Sequence, residues 1–89
     1  MAERHAEKNS IQVIERMMSL LEVLADHNEP VSLKVLAQHS GLHPSTAHRI
    51  LAAMASAALV ERHEIGTYAL GIRLLELGNI VKARINIRQ

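Results

Sequence analysis

Residues 33–54 read LKVLAQHSGLHPSTAHRILAAM, and this segment decides the fold. Its pattern predicts two short helices joined by a turn at Gly41, because glycine readily adopts the left-handed conformation that ends a helix. Ser32 is suited to cap the first helix. Pro44 is suited to the first position of the second helix, where its missing N–H costs nothing. The sequence therefore specifies the turn from both sides.

The second predicted helix has one apolar face and one polar face. The apolar stripe at helical spacing consists of Leu42, Ala47, Ile50, Leu51 and Met54. The outward side carries Ser45, Thr46, His48 and Arg49. In a helix-turn-helix the N-terminal residues of the second helix reach base edges of DNA, so these four residues are candidate DNA contacts. Arg49 can donate two hydrogen bonds to guanine or to a phosphate, and His48 can contact either a base or a phosphate.

The residues that follow favour a small β-hairpin. Leu59–Val60 and Thr67–Leu70 have the composition of strands, and the sequence EIG between them supplies a turn. A hairpin directly after a recognition helix is a wing, which distinguishes this chain from an ordinary helical hairpin with a solvated polar face. Arg62, His63 and Thr67 lie on or beside the hairpin, within reach of the DNA backbone or minor groove.

Three segments of the chain are weak signals of a protein family when taken singly but are specific together: IERMMSLLEVLADH, VSLKVLAQHSGLHPSTAHRILAAM and LVERHEIGTYALGIRLLELG. With them the chain resembles, over residues 11–78, the N-terminal winged helix-turn-helix domain of the IclR-type transcriptional regulators. Residues 45–49 resemble the S-T-x-x-R core of that family's recognition helix, and residues 68–71 resemble its second wing strand. The resemblance implies a sequence-specific DNA-binding domain that acts as a homodimer on double-stranded DNA with a pseudo-palindromic operator.

The start of the recognition helix departs from the family pattern. The family often has proline followed by a basic residue before the Ser-Thr pair, whereas this chain has His43 and then Pro44. The corresponding phosphate contact is therefore missing or moved to His43, which is a candidate DNA contact for this reason. Ser32 is also counted among the candidate DNA contacts. It is expected to cap its helix alone, because Val35 stands where an acidic residue would complete a capping box.

The sequence divides into three parts and predicts a mainly α fold with a small β-hairpin. Residues 1–9 are charged and polar and are predicted to be a flexible tail. Residues 10–71 are predicted to form the winged helix-turn-helix, with a three-helix core and a wing. Residues 72–89 are predicted to be a linker helix toward a C-terminal effector domain that is absent from this chain, so a small-molecule effector is expected only through that domain. The alternative is a terminal helix packed on its own domain.

The first helix, predicted from Ser10 to His27, has more apolar surface than one small partner helix covers. One stripe consists of Ile11, Ile14, Met18, Leu21 and Ala25, and it is widened by Val13, Met17, Leu20 and Leu24. Part of this surface is expected to form a homodimer interface. Arg16, on the same helix, is interpreted either as a phosphate contact or as an exposed, solvated arginine.

The composition argues against an enzyme or a metal protein. The chain has no cysteine, and its six histidines show neither an HExxH motif nor ligand spacing with acidic residues. It has no glycine-rich phosphate loop, and no Ser-His-Asp arrangement can be argued. No enzymatic activity and no cofactor are therefore expected. The remaining alternative is a winged helix used for protein contact, although its exposed helix face lacks the aromatic anchors that such a role favours.

Charge and hydropathy limit the cellular context. The formal net charge is +1, so any positive potential toward DNA must come from the arrangement of the charges. No apolar run is long enough to cross a membrane, and the polar N-terminus is unlike a secretory signal. A cytoplasmic location without membrane contact is expected.

Overall fold

The computed structural model describes the backbone of residues 2–88 and the side-chain exposure of residues 9–86. The elements in chain order are α1 (Ala2–Ala25), β1 (Val31–Ser32), α2 (Leu33–Ser40), α3 (Pro44–Ser56), β2 (Val60–Arg62), β3 (Thr67–Leu70) and α4 (Ile72–Arg88). Helices α1, α2 and α3 pack with a small sheet into a winged helix-turn-helix. The predicted fold class is confirmed.

The strands form one antiparallel sheet in the order β1-β3-β2. The predicted wing is the hairpin of β2 and β3, in which Arg62 is paired with Tyr68. Strand β1 was not predicted, because a two-residue strand is too short to show the alternation by which strands are recognised. The wing turn is held against the start of α2, where the backbone N–H of Leu33 donates to the carbonyl of Gly66 at 2.9 Å.

The core lies where the three helices meet the sheet. The largest fully buried side chains are Leu20, Leu36, Leu51, Met54 and Val60. Burying an apolar side chain of this size contributes roughly 1.5–3 kcal/mol. Of the stripe predicted for the recognition helix, Ala47, Leu51 and Met54 are buried, while Leu42 and Ile50 are half-buried at its edges.

The turn between α2 and α3 has the predicted local structure. The hydroxyl of Ser32 accepts a hydrogen bond from the backbone N–H of Val35 at 3.2 Å. Gly41 has φ 71°, and the backbone N–H of Leu42 donates back to the carbonyl of Ala37 at 3.0 Å. Pro44 is the first residue of α3. These contacts fix the direction in which α3 leaves α2.

Helix α1 begins well before the predicted start at Ser10, because its backbone is helical from Ala2. The predicted boundary is therefore wrong for the helix, and Met1 lies outside the described residues. Residues 2–9 contain alanine, glutamate, arginine and lysine without glycine or proline. These residues have high helix propensity, so a helix that is anchored by packing at its other end can extend through them.

Burial on α1 is concentrated in its C-terminal half, where Leu20, Val23 and Leu24 are buried. The main stripe predicted from periodicity lies largely on the other side: Ile11, Ile14 and Met18 are 59%, 60% and 49% exposed. The elements that pack against α1 select its buried face, and α1 is also longer than the surface that they cover. A helix of 24 residues is about 36 Å long, whereas the eight residues of α2 span about 12 Å, so α2 covers only part of α1.

Helix α4 occupies the predicted linker region and extends to Arg88, with Gln89 outside the described residues. All side chains from Leu75 to Asn86 are exposed. This part of α4 is therefore not packed on its own domain, as the alternative interpretation required. Within residues 2–88, none of the helices combines the length and the hydropathy that crossing a membrane requires.

Candidate DNA interface

The N-terminus of α3 is capped by a histidine. Nδ1 of His43 accepts a hydrogen bond from the backbone N–H of Ser45 at 3.2 Å and lies 2.8 Å from the Ser45 hydroxyl. Because Nδ1 accepts from the backbone, it carries no proton, and the hydroxyl of Ser45 must donate to it as well. The remaining N–H of His43 is then on Nε2, and the oxygen of Ser45 is left as an acceptor. His43 and Ser45, which the sequence predicts separately as DNA contacts, are therefore hydrogen-bonded to each other at the start of α3.

The second turn of α3 contacts the wing. Nη2 of Arg62, at the end of β2, lies 3.4 Å from Nε2 of His48. Both side chains are exposed. This contact brings together two residues that the sequence placed on separate elements, and it makes the outward face of α3 continuous with the hairpin.

Ser32 and Thr67 face each other in the sheet, where β1 pairs with β3. Both hydroxyls have local partners: Ser32 caps α2, and Thr67 donates to the carbonyl of Glu64 at 2.7 Å inside the wing turn. A serine or threonine hydroxyl has further hydrogen-bonding capacity beyond one such contact. In this structure the two hydroxyls thus stabilise the start of α2 and the wing turn, the elements on either side of α3.

A cleft of about 340 Å³ lies between α3 and the hairpin. It is lined by Leu33, His48, Arg62, His63, Ile65, Gly66, Thr67 and Tyr68. The hydrogen-bonding side chains in it come from both α3 and the wing. The structure therefore collects His48, Arg62 and Thr67 at one place on the surface.

The other two predicted arginines lie apart from this cleft. Arg49 is exposed on α3 and lines a separate, mostly apolar cleft of about 380 Å³ between α1 and α3. Arg16 is half-buried on α1, which is outside the helix-turn-helix and the wing. Thr46 is half-buried in the first turn of α3. Of the basic residues on the outward face of α3, Arg49 is thus the one that extends the surface toward α1.

Acidic side chains are not paired with the candidate arginines in the part of the chain that the structure describes. The carboxylate contacts found there place Glu61 3.5 Å from His63 and Glu76 3.2 Å from Arg73. Arg49 and Arg62 are therefore free of intramolecular carboxylates among these residues. A guanidinium in that state keeps its donors for an outside acceptor such as a phosphate oxygen or a base edge.

Two features of this surface had no sequence signal. The contact between His48 and Arg62 joins residues 14 positions apart, and no local pattern relates them. Gly66 and Leu33 line the cleft through the backbone path of the wing turn and the start of α2. The bond between His43 and Ser45 had a weak signal, because capping side chains bond to a backbone N–H two or three residues ahead.

The chain is similar in sequence and in fold to known proteins. The family model of the IclR helix-turn-helix domain matches residues 13–64. The transcriptional repressor IclR of Escherichia coli is 37% identical over 70 residues, which are 78% of this chain and 26% of that protein. The crystal structure of the Agobacterium tumefaciens repressor BlcR has a TM-score of 0.71 at 25% identity and covers 80% of this chain and 29% of that one.

A second solved structure is similar to this chain. It is an IclR homolog from Microbacterium hydrocarbonoxydans complexed with 4-hydroxybenzoate, with a TM-score of 0.67 at 29% identity, covering 73% of this chain and 27% of that one. The winged helix-turn-helix and these matches define the class of this chain, which is a helix-turn-helix domain of the IclR type. The chain belongs to the IclR family. It spans about a quarter to a third of the length of the curated relatives it matches.

Proposed function

We propose that α3 is the recognition helix of a sequence-specific DNA-binding domain and lies in the major groove when the chain binds double-stranded DNA. One observation carries this proposal. Helix α3 buries Ala47, Leu51 and Met54 against the core and leaves His48 and Arg49 exposed on the other side. The apolar face thus packs α3 against the core, and the polar face is accessible to DNA.

The dimensions and the chemistry suit this docking. The major groove is about 12 Å wide and admits an α-helix, and the first two turns of such a helix reach the base edges. In this arrangement Ser45, Thr46, His48 and Arg49 face the groove. The wing then lies beside it, with Arg62 and Thr67 toward the backbone or the minor groove. Ser32, His43 and Arg16 are the remaining proposed contacts, of which His43 offers the N–H on Nε2.

The proposal is tested by selecting bound fragments from a random duplex library with the purified chain and with Arg49→Ala. If Arg49 reads a guanine, the substitution should cost about 1–3 kcal/mol and relax the preference at one base pair. If Arg49 holds a phosphate, binding should weaken equally for all sequences and the salt dependence should become less steep.

The matched control is Arg73→Ala, which removes the same charge from α4, outside the proposed interface. It should leave the base preferences unchanged. If the unmodified chain enriches no DNA sequence at either low or high salt, this result contradicts sequence-specific binding. Absence of any DNA binding would favour a winged helix used for protein contact.

The proposed binding unit is a homodimer on a pseudo-palindromic operator. Two copies of α3 would enter successive major grooves about 34 Å apart. Support comes from the exposed apolar residues Ile11, Ile14 and Met18 on α1, which have no cover in the described part of one chain. Analytical ultracentrifugation at high protein concentration, with and without the selected duplex, should detect the dimer, and a monomer under both conditions contradicts it.

The chain is proposed to be the DNA-binding part of a longer cytoplasmic repressor. Its relatives IclR and BlcR are named repressors, and each is several times longer than the matched region. In this proposal α4 is the linker helix to a further domain. The similar Microbacterium hydrocarbonoxydans protein was solved with 4-hydroxybenzoate, so a small-molecule effector is proposed to act through that further domain.

A further inference from the structure

The contact between His48 and Arg62 places a constraint on the recognition helix that exposure alone does not reveal. The two side chains come from α3 and β2, and their nitrogen atoms are 3.4 Å apart. Both side chains line the cleft between the helix and the wing. Arg62 is thus the wing residue that can influence what the outward face of α3 offers to DNA.

Hydrogen-bond chemistry fixes the direction of this contact. A guanidinium group has N–H donors and no acceptor, so Nε2 of His48 must be the acceptor. A neutral imidazole carries one proton, and when Nε2 accepts, that proton is on Nδ1. The atom of His48 that remains for DNA is then a donor. Without Arg62, the ring can take either tautomer and offer a donor or an acceptor.

The tautomer matters because base edges differ in the major groove. Guanine presents two acceptors, adenine N7 and thymine O4 accept, and the exocyclic amino groups of adenine and cytosine donate. A donor on Nδ1 is complementary to these acceptors, which are the two of guanine, N7 of adenine and O4 of thymine. Opposite an amino group it leaves a buried donor without a partner, and an unsatisfied buried donor is costly.

The wing also leaves Arg62 able to act on DNA at the same time. The neighbouring carboxylate of Glu61 lies 3.5 Å from His63, and no ion pair of Arg62 is found among the described residues. One N–H of the guanidinium contacts His48, and the others are available for a phosphate. A phosphate bound by these other N–H groups would keep the guanidinium of Arg62 next to Nε2 of His48.

We propose that Arg62 is a positioning residue for His48: it holds the imidazole proton on Nδ1, so that the recognition helix selects a base with an acceptor in the major groove. This inference rests on the proposed DNA-binding function. It gives the wing a share in base selection, although the wing itself does not have to touch that base.

The tautomer can be measured in the free chain by long-range proton–nitrogen NMR correlations of the imidazole rings, at a pH where His48 is neutral. The signals of His48 are assigned by their loss in His48→Asn. The unmodified chain and the control Arg73→Ala should show the Nδ1–H form, whereas Arg62→Ala should show a mixture of both tautomers. An Nε2–H form in the unmodified chain, or unchanged His48 signals in Arg62→Ala, overturns the proposal.

Base selection is measured with the random duplex library. His48→Ala should remove the preference at one base pair, and Arg62→Ala should lower the preference at the same base pair several-fold. The double variant should be no less selective there than His48→Ala. A uniform loss of affinity in Arg62→Ala, with that preference intact, would make Arg62 a phosphate contact only and overturn the positioning role.

The two measurements separate the possible failures. If the unmodified chain enriches no sequence, the proposed function fails, and base selection by His48 fails with it. The NMR spectra then decide whether Arg62 sets the tautomer. Far-UV circular dichroism should be unchanged in Arg62→Ala, because the side chain is exposed and lies outside the core.

Discussion

The compact centre of this molecule, formed by residues 31–71 and the C-terminal half of α1, differs from the two helical segments that extend from it. In the centre, Leu20, Leu36 and Leu51 are fully buried. In the N-terminal half of α1 and in α4, large apolar side chains such as Ile11 and Leu75 are 59% and 58% exposed. Both regions are rich in aliphatic residues, so composition does not cause the difference.

The difference is caused by what packs against each region. The centre has α2, α3 and the sheet as partner surfaces, and burial there contributes about 25 cal/mol per Å² of apolar surface removed from water. The extended segments have no such partner within the described chain. The same kind of substitution should therefore cost much in the centre and little in the segments.

The largest effect is expected for Leu20→Ala. The side chain is 0% exposed and packs in the core between α1 and the rest of the domain. Its truncation removes apolar burial and leaves a cavity, so the free energy of unfolding should fall by about 2–5 kcal/mol. Chemical denaturation followed by circular dichroism measures this change. A loss below about 1 kcal/mol would show that the C-terminal half of α1 is not part of the centre.

A smaller effect is expected for Gly71→Ala. Gly71 is buried between β3 and α4, and its backbone N–H donates to the carbonyl of Leu59 at 2.9 Å. A Cβ at this position would overlap the carbonyl oxygen of Ala58. The backbone must shift, so the free energy of unfolding should fall by about 1–3 kcal/mol.

The matched control for this prediction is Gly78→Ala. Gly78 is exposed in α4, and a Cβ there would meet nothing within 4 Å. Alanine has the higher helix propensity, by about 1 kcal/mol, so this substitution should raise the helix content slightly and should not destabilise the centre. Equal losses in both variants would remove the distinction between the centre and α4.

The centre was largely predictable from sequence because its signals are local. The caps Ser32 and Gly41 and the first helical residue Pro44 act within a few residues, and they define the helix-turn-helix. The end of α3 at Ser56 has no such local signal, because Ala58, two residues beyond it, has φ 60°, where a glycine would be usual. The start of α1 was also missed. A charged, polar segment is typical of a flexible tail even where its residues have high helix propensity.

The candidate site was predictable residue by residue but not as an arrangement. Hydroxyl and basic residues on one face of a helix indicated Ser45, His48 and Arg49 as contacts. Contacts between elements depend on tertiary packing, so the pairing of His48 with Arg62 could not be predicted from spacing. Periodicity also could not decide which stripe of α1 is buried, since both stripes are apolar and only the partner elements select one of them.

The smallest effect on unfolding is expected for Ile14→Ala, which makes the sharpest contrast with Leu20→Ala on the same helix. Ile14 is exposed, so at low protein concentration the free energy of unfolding should change by less than about 0.5 kcal/mol. If this face joins the proposed homodimer, the unmodified chain should become more stable as its concentration rises, because association stabilises the folded state. The stability of Ile14→Ala should rise less with concentration than that of the unmodified chain. Denaturation of both proteins over a range of concentrations measures the difference. A loss at low concentration as large as that of Leu20→Ala would mean that Ile14 is covered within a single chain.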